Sequence, residues 1–126
     1  LFRSGRVEVF NRGSWGTVCD THWTFKEANV VCRQLGFEAG ASAVVRSAGF
    51  GEGIGNIWMD EVNCVGHERR LIDCNHLGPE KHNCDHSKDA GVICIPGNYK
   101  MPCTIEFCGF LLVFPLTSKR SSNKDT

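Results

Sequence analysis

The chain has little that would take it into a membrane or a catalytic class. The apolar stretch Phe107–Leu116 is ten residues long and contains Pro115, about half of the roughly 20 residues a spanning helix needs. Charge of one sign is missing too: fourteen Lys/Arg stand against fourteen Asp/Glu, so no global field draws the chain to nucleic acid or an acidic bilayer, and charge-driven binding falls to a local patch. There is no Cys-x-x-Cys pair, no Asn-x-Ser/Thr sequon and no His-Glu-x-x-His. Gly13-Ser14-Trp15-Gly16 is not a nucleophile elbow, and Gly49, Gly51, Gly53 and Gly55 lack the lysine or helix start of a phosphate loop. The chain reads as a binding module and not as an enzyme. Leu1-Phe2-Arg3-Ser4-Gly5 shows no basic-then-apolar leader, and the expectation is a piece of a longer protein.

What the chain has in excess is cysteine: Cys19, Cys32, Cys64, Cys74, Cys84, Cys94, Cys103 and Cys108 in 126 residues. A domain this small buries only a modest core, and cysteine at this density without zinc-type spacing points to disulfides. Disulfides persist in oxidising compartments, so the setting is extracellular: a secreted protein or a cell-surface ectodomain. Six cysteines alone allow fifteen pairings, and arithmetic does not choose among them.

Arg6-Val7-Glu8-Val9-Phe10 alternates polar and apolar, Asn11-Arg12-Gly13-Ser14 is turn chemistry, and Trp15-Gly16-Thr17-Val18-Cys19 resumes with β-formers, which together predict a hairpin. Thr24-Phe25-Lys26-Glu27 has capping-box spacing. Ala28, Val31, Cys32 and Leu35 then follow at helical intervals and Gly36 supplies a left-handed stop, so a helix is expected over 24–35. Residues 47–56 hold four glycines and read as a surface loop suited to ligand contact. Residues 66–73 are expected to make a short helical turn, and 90–95 a last buried strand. The packed domain is placed at 1–95, with 96–126 an irregular or disordered extension sensitive to proteases.

Gly5-Arg6-Val7-Glu8-Val9, Trp15-Gly16-Thr17-Val18-Cys19-Asp20, Val31-Cys32-Arg33-Gln34-Leu35-Gly36, Ile57-Trp58-Met59-Asp60-Glu61-Val62-Asn63-Cys64 and Asp89-Ala90-Gly91-Val92-Ile93-Cys94 resemble, in order, the signatures of the scavenger receptor cysteine-rich family, six-cysteine group A. The resemblance implies the pairs Cys19–Cys84, Cys32–Cys94 and Cys64–Cys74, and an α+β fold in which a curved antiparallel sheet cradles the one main helix. The family's usual opening strand, just before Gly5, is nearly absent. Cys103 and Cys108 fall outside the pattern, and bridging each other, pairing with another chain and staying free are all open.

The resemblance also implies a recognition module of a scavenger-type receptor or secreted defence protein. Its ligands would be polyanions, microbial surfaces, modified lipoproteins or extracellular proteins, bound multivalently by a multidomain or oligomeric parent. The rival is an accessory docking domain of a larger secreted enzyme, as in lysyl oxidase homologues and mosaic serine proteases. Arg3, Arg6, Arg12, Arg33, Arg46, Arg69 and Arg70 outnumber the lysines before Gly97, and arginine holds sulfate, phosphate and carboxylate in a planar fork; Arg6, Arg46, Arg69 and Arg70 are the candidate ligand contacts. The bland reading pairs Arg33 and Arg69 with Glu68 and Asp73.

Family members often bind Ca²⁺ through paired aspartates after the first framework cysteine and a late acidic residue. Here those positions read Asp20-Thr21 and Lys88, so a site would be rebuilt from Asp20, Asp60 and Asp89, with Glu61 and Asn63. His82-Asn83-Cys84-Asp85-His86 has the look of a zinc clamp, but its cysteine belongs to the disulfide framework. Trp15, Trp23 and Trp58 are read as core and sheet anchors.

Overall fold

In a computed structural model, residues 3–79, 81–97 and 111–114 are described. Strand β1 (Ser4–Asn11) turns through Arg12 and Gly13, both at positive φ, into β2 (Ser14–Val18), with Asn11 opposite Ser14. Two left-handed residues in a two-residue loop give the turn whose twist matches the flanking strands. Helix α1 (Phe25–Gln34) follows, then β3 (Ala41–Val45), β4 (Asn56–Asn63), β5 (Asn75–Leu77), β6 (Gly91–Cys94) and β7 (Leu111–Phe114). Short 3₁₀ turns stand at Leu71–Asp73 and His86–Lys88.

The strands form one sheet in the order β3-β6-β1-β2-β4-β5, with β7 added on β1. Its pairings are antiparallel except β2–β4, which run parallel because the connection between them passes through α1 and β3, the crossover that parallel neighbours require. The helix packs on β6 and β3, laying Ala28, Val31, Cys32 and Leu35, all fully buried, against Val7, Val18, Met59 and Val92.

The helix starts where its sequence says. Thr24 is the N-cap, and Glu27 Oε1 accepts from the Thr24 N–H at 2.9 Å and from its hydroxyl. Glu27 Oε2 also accepts from the Cys64 N–H at 2.8 Å, so this buried carboxylate joins the helix start to the end of β4. Disulfides link Cys19–Cys84, Cys32–Cys94 and Cys64–Cys74, the pairs that the family resemblance implies. Of residues 96–126, the structure describes Pro96, Gly97 and β7, a strand within a stretch read as irregular. Cys103 and Cys108 lie outside the described residues.

Candidate ligand-binding face

Helix α1 exposes Lys26 and Arg33. Arg33 Nη1 donates to the Gly66 carbonyl at 3.0 Å, and a Cβ placed on Gly66 would lie 3.9 Å from Lys26 Cγ. Both helix cations therefore border the 65–70 segment, which itself carries His67, Arg69 and Arg70. Acids in this region are turned to other work. Glu68 accepts from the N–H groups of Val65 (2.8 Å) and Gly66 (2.9 Å), and these bonds hold its carboxyl below the usual range. Asp73 takes a two-pronged contact from Arg70 at 2.9 and 3.1 Å, which raises the guanidinium's pKa. Arg33, expected beside an acid, donates instead to a carbonyl, and Asp73 takes Arg70.

Arg3, Arg6, Arg12 and Arg46 make contacts outside the 65–70 segment. Arg6 is only 4% exposed, with Nε on Glu8 Oε2 at 2.8 Å and Nη1 on the Gly51 carbonyl at 3.3 Å. It is a ligand candidate that lies inside the domain, its charge held between β1 and the Gly-rich loop. Arg46 is exposed, its guanidinium donating to the Trp23 carbonyl. Arg3 donates to the Cys94 carbonyl at 2.8 Å, and Arg12 lies over the Trp58 ring at 5.9 Å.

The Gly-rich loop is latched from below. Asp89, 1% exposed, accepts from the Gly53 N–H at 2.7 Å, and its carbonyl takes the Ala48 N–H. His86 Nδ1 meets Asp89 Oδ2 at 2.9 Å while Nε2 donates to the Gly55 carbonyl at 2.9 Å. Burial opposes protonation, but acceptors at both ring nitrogens outweigh it and raise the His86 pKa. Gly53 admits no side chain, since a Cβ would meet Thr17 Cγ2 at 2.4 Å.

The tryptophans are anchors. Trp23 is fully buried with Nε1 on the Gly91 carbonyl at 3.0 Å, Trp58 is nearly so with Nε1 on Ser14, and Trp15 packs edge-on against Phe10 at 5.4 Å.

The carboxylates named for calcium each accept hydrogen bonds within the domain. Asp20 Oδ2 accepts from the Ser47 N–H, Asp60 Oδ1 from the Glu61 N–H, and Asp89 is held by Gly53 and His86. Among the described residues, the groups close enough to share a metal are Cys19–Asp60–Cys84 and Cys64–Glu68–Cys74, in which every sulfur is in a disulfide and none is a thiolate. Neither offers the several hard oxygens calcium requires. The zinc reading fails similarly: Cys84 is bridged, and His82 Nδ1 accepts from the Cys84 N–H. Sequence reasoning missed an open groove of about 800 Å³ at the start of α1, lined among others by His22, Glu61, Asn75 and His76. Its walls come from separate elements, and no local pattern joins them.

A family model described as the scavenger receptor cysteine-rich domain matches residues 2–95. The chain belongs to that family. It is 57% identical over 90 residues to galectin-3-binding protein of Pongo abelii, and 53% identical over 90 residues to a scavenger receptor cysteine-rich domain superfamily protein of Patiria pectinifera. Each match takes in 71% of this chain but only 15% and 8% of those relatives. Among solved structures, the third such domain of murine neurotrypsin is similar with TM-score 0.66 and 54% identity, covering 73% of this chain and 85% of that one. The domain of mouse MARCO, in a dimeric form, is similar with TM-score 0.66 and 44% identity, covering 73% and 86%. Scavenger receptor cysteine-rich domains are extracellular, non-catalytic ligand-recognition modules, which agrees with the cysteine density and the lack of a catalytic constellation.

Proposed function

We propose that this module, of the six-cysteine group A type, recognises polyanionic ligands such as sulfated polysaccharides, microbial-surface polymers and modified lipoproteins. The face it uses carries Lys26, Arg33, Arg69 and Arg70, with Arg46 as a separate contact. The observation supporting this reading is the Arg33–Gly66 bond, which sets the helix cations beside a segment in which Glu68 is bonded to backbone amides and Asp73 to Arg70. Arginine forks match sulfate and phosphate, and an exposed face of this kind binds weakly per module and strongly when repeated in a larger or oligomeric parent.

A sulfated polysaccharide is the probe. The oxidised chain should bind it with strong salt dependence, and charge reversal at Arg69 and Arg70 (Arg69→Glu, Arg70→Glu) should weaken binding roughly tenfold or more, each lost close contact being worth about 1 kcal/mol. Reversal at Arg6 is no control, because Arg6 is buried and its loss perturbs the fold. Unchanged binding in the Arg69/Arg70 double variant overturns this assignment.

A second reading rests on the likeness to one domain of a multidomain protein, the third of neurotrypsin. Here the module docks a protein partner for a larger secreted enzyme. Retention of a protein partner, with no affinity for sulfated polymer at low salt, distinguishes it.

A further inference from the structure

Strand β1 is filled on one side by two strands and on the other by one. Arg6 pairs with Gly91 of β6 and with Phe114 of β7; Glu8 pairs with Thr17 of β2 and with Leu112; Val9 pairs with Gly16 and with Leu111. A strand residue has only two edges, so β6 and β2 lie end to end along one and β7 runs antiparallel along the middle of the other, from Arg6 to Val9. Residues 2–95, the span of the family match, supply no described strand to that second edge. The chain fills it with Leu111–Phe114, uncharged and aliphatic or aromatic throughout, and Val113, opposite Val7, is 3% exposed within the core cluster.

We propose that the outer edge of β1 at Arg6–Val9 is a strand-accepting slot for an extended, uncharged aliphatic segment bound antiparallel, and that Leu111–Phe114 is its resident and displaceable occupant. An unpaired edge presents alternating N–H and C=O groups that template an incoming strand. Main-chain bonds then supply affinity, and pockets under alternate side chains supply selectivity. The Val113 position, buried against Val7 and Val9, is the selective one: it takes an aliphatic side chain and rejects a charge. Tethering keeps the resident segment at an effective concentration on the order of millimolar. A peptide in trans therefore enters only when the resident strand is weakened or the peptide binds more tightly.

The test uses the full oxidised chain and two variants. Val113→Asp places a charge in the core position, and Leu112→Pro removes a main-chain donor from β7 without altering Val113. Hydrogen exchange is followed at residues 6–9, with the α1 amides as the check on the fold, before and after adding a synthetic peptide of residues 109–116. The expected result is roughly tenfold or faster exchange at residues 6–9 in both variants with α1 still protected, reversed by the peptide but not by its Val113→Asp counterpart. The wild-type chain should take up no peptide at micromolar concentration. Unchanged exchange in the variants would show that β7 does not hold the edge. Faster exchange that the peptide fails to reverse would show that the edge is not an acceptor. Loss of α1 protection in both variants would show that β7 is part of the fold rather than an exchangeable occupant. Each of these three results overturns the proposal.

Discussion

Glu27 joins two parts of the molecule with one side chain, and its removal should cost more than a helix cap. In Glu27→Ala, the Thr24 N–H loses its acceptor at 2.9 Å and the Cys64 N–H loses its own at 2.8 Å. The carboxylate is 2% exposed, so water does not simply take its place. A cap alone is worth about 1 kcal/mol, and a bond from a backbone N–H to a charged acceptor about 1.5–3 kcal/mol. The expected loss is therefore roughly 2.5–4 kcal/mol, a large part of a typical domain's stability. Glu27→Gln offers one acceptor oxygen to two donors and should lose about half as much. Urea unfolding of the oxidised protein reads this as a lower midpoint at unchanged slope. A loss of about 1 kcal/mol or less in Glu27→Ala would refute the reasoning, because it would leave the Cys64 bond without energetic weight. Cys64 opens the loop that carries His67, Arg69 and Arg70, so the same variant should also loosen that loop.

The His86 latch should make stability fall as the medium becomes more alkaline. Its folded pKa is raised from 6.5, so its contribution is complete below about 6.5, the unfolded value, and is lost as pH rises through the raised folded value. Thermal unfolding across pH 5–9 should show this slope in the wild type and a flatter one in His86→Ala; equal slopes would remove the assignment. Replacing Cys32 and Cys94 by alanine opens a 62-residue loop, and replacing Cys64 and Cys74 opens one of 10. Loop-closure entropy puts these at about 4 and about 3 kcal/mol, and Cys32 and Cys94 are fully buried, so the first pair should lower the urea midpoint more.

The readable parts of this chain were those with local causes. Thr24 and Glu27 cap α1 because the capping box is a four-residue affair, and the β1–β2 hairpin follows from the alternation and the Arg12-Gly13 turn. The sheet's one parallel pairing was not legible, since β2 and β4 meet only through a long crossover. Arg6 shows the limit most clearly. Period-two alternation places Arg6 and Glu8 on one face of β1, and a polar pair on a strand normally marks solvent; here the Gly-rich loop covers that face, and Arg6 reaches Gly51. Nothing within reach of residue 6 in sequence announces a lid contributed by residue 51. The loop itself was seen as a run of glycines, but Asp89 and His86, which pin it, come from far along the chain. Arg33 was expected beside an acid and instead found the Gly66 carbonyl, which joins the helix to the candidate ligand face.

The antiparallel contact of β1 with β6 sets Ser4 opposite Ile93, and Arg3 and Cys94 exchange main-chain contact beyond it, the Cys94 N–H donating to the Arg3 carbonyl. The two ends of the span that matches the family thus lie side by side. Tension between residues 3 and 95 loads these bonds in peeling geometry, one after another, which is the weak direction for a pair of strands. The peel on the β6 side meets Cys94 at once, and Cys94 is covalently fixed to α1 through Cys32. A pulled module should therefore yield by a short, recoverable step at its first strand and then stop against a covalent bond, with the helix and the basic segment beside it kept in shape under load.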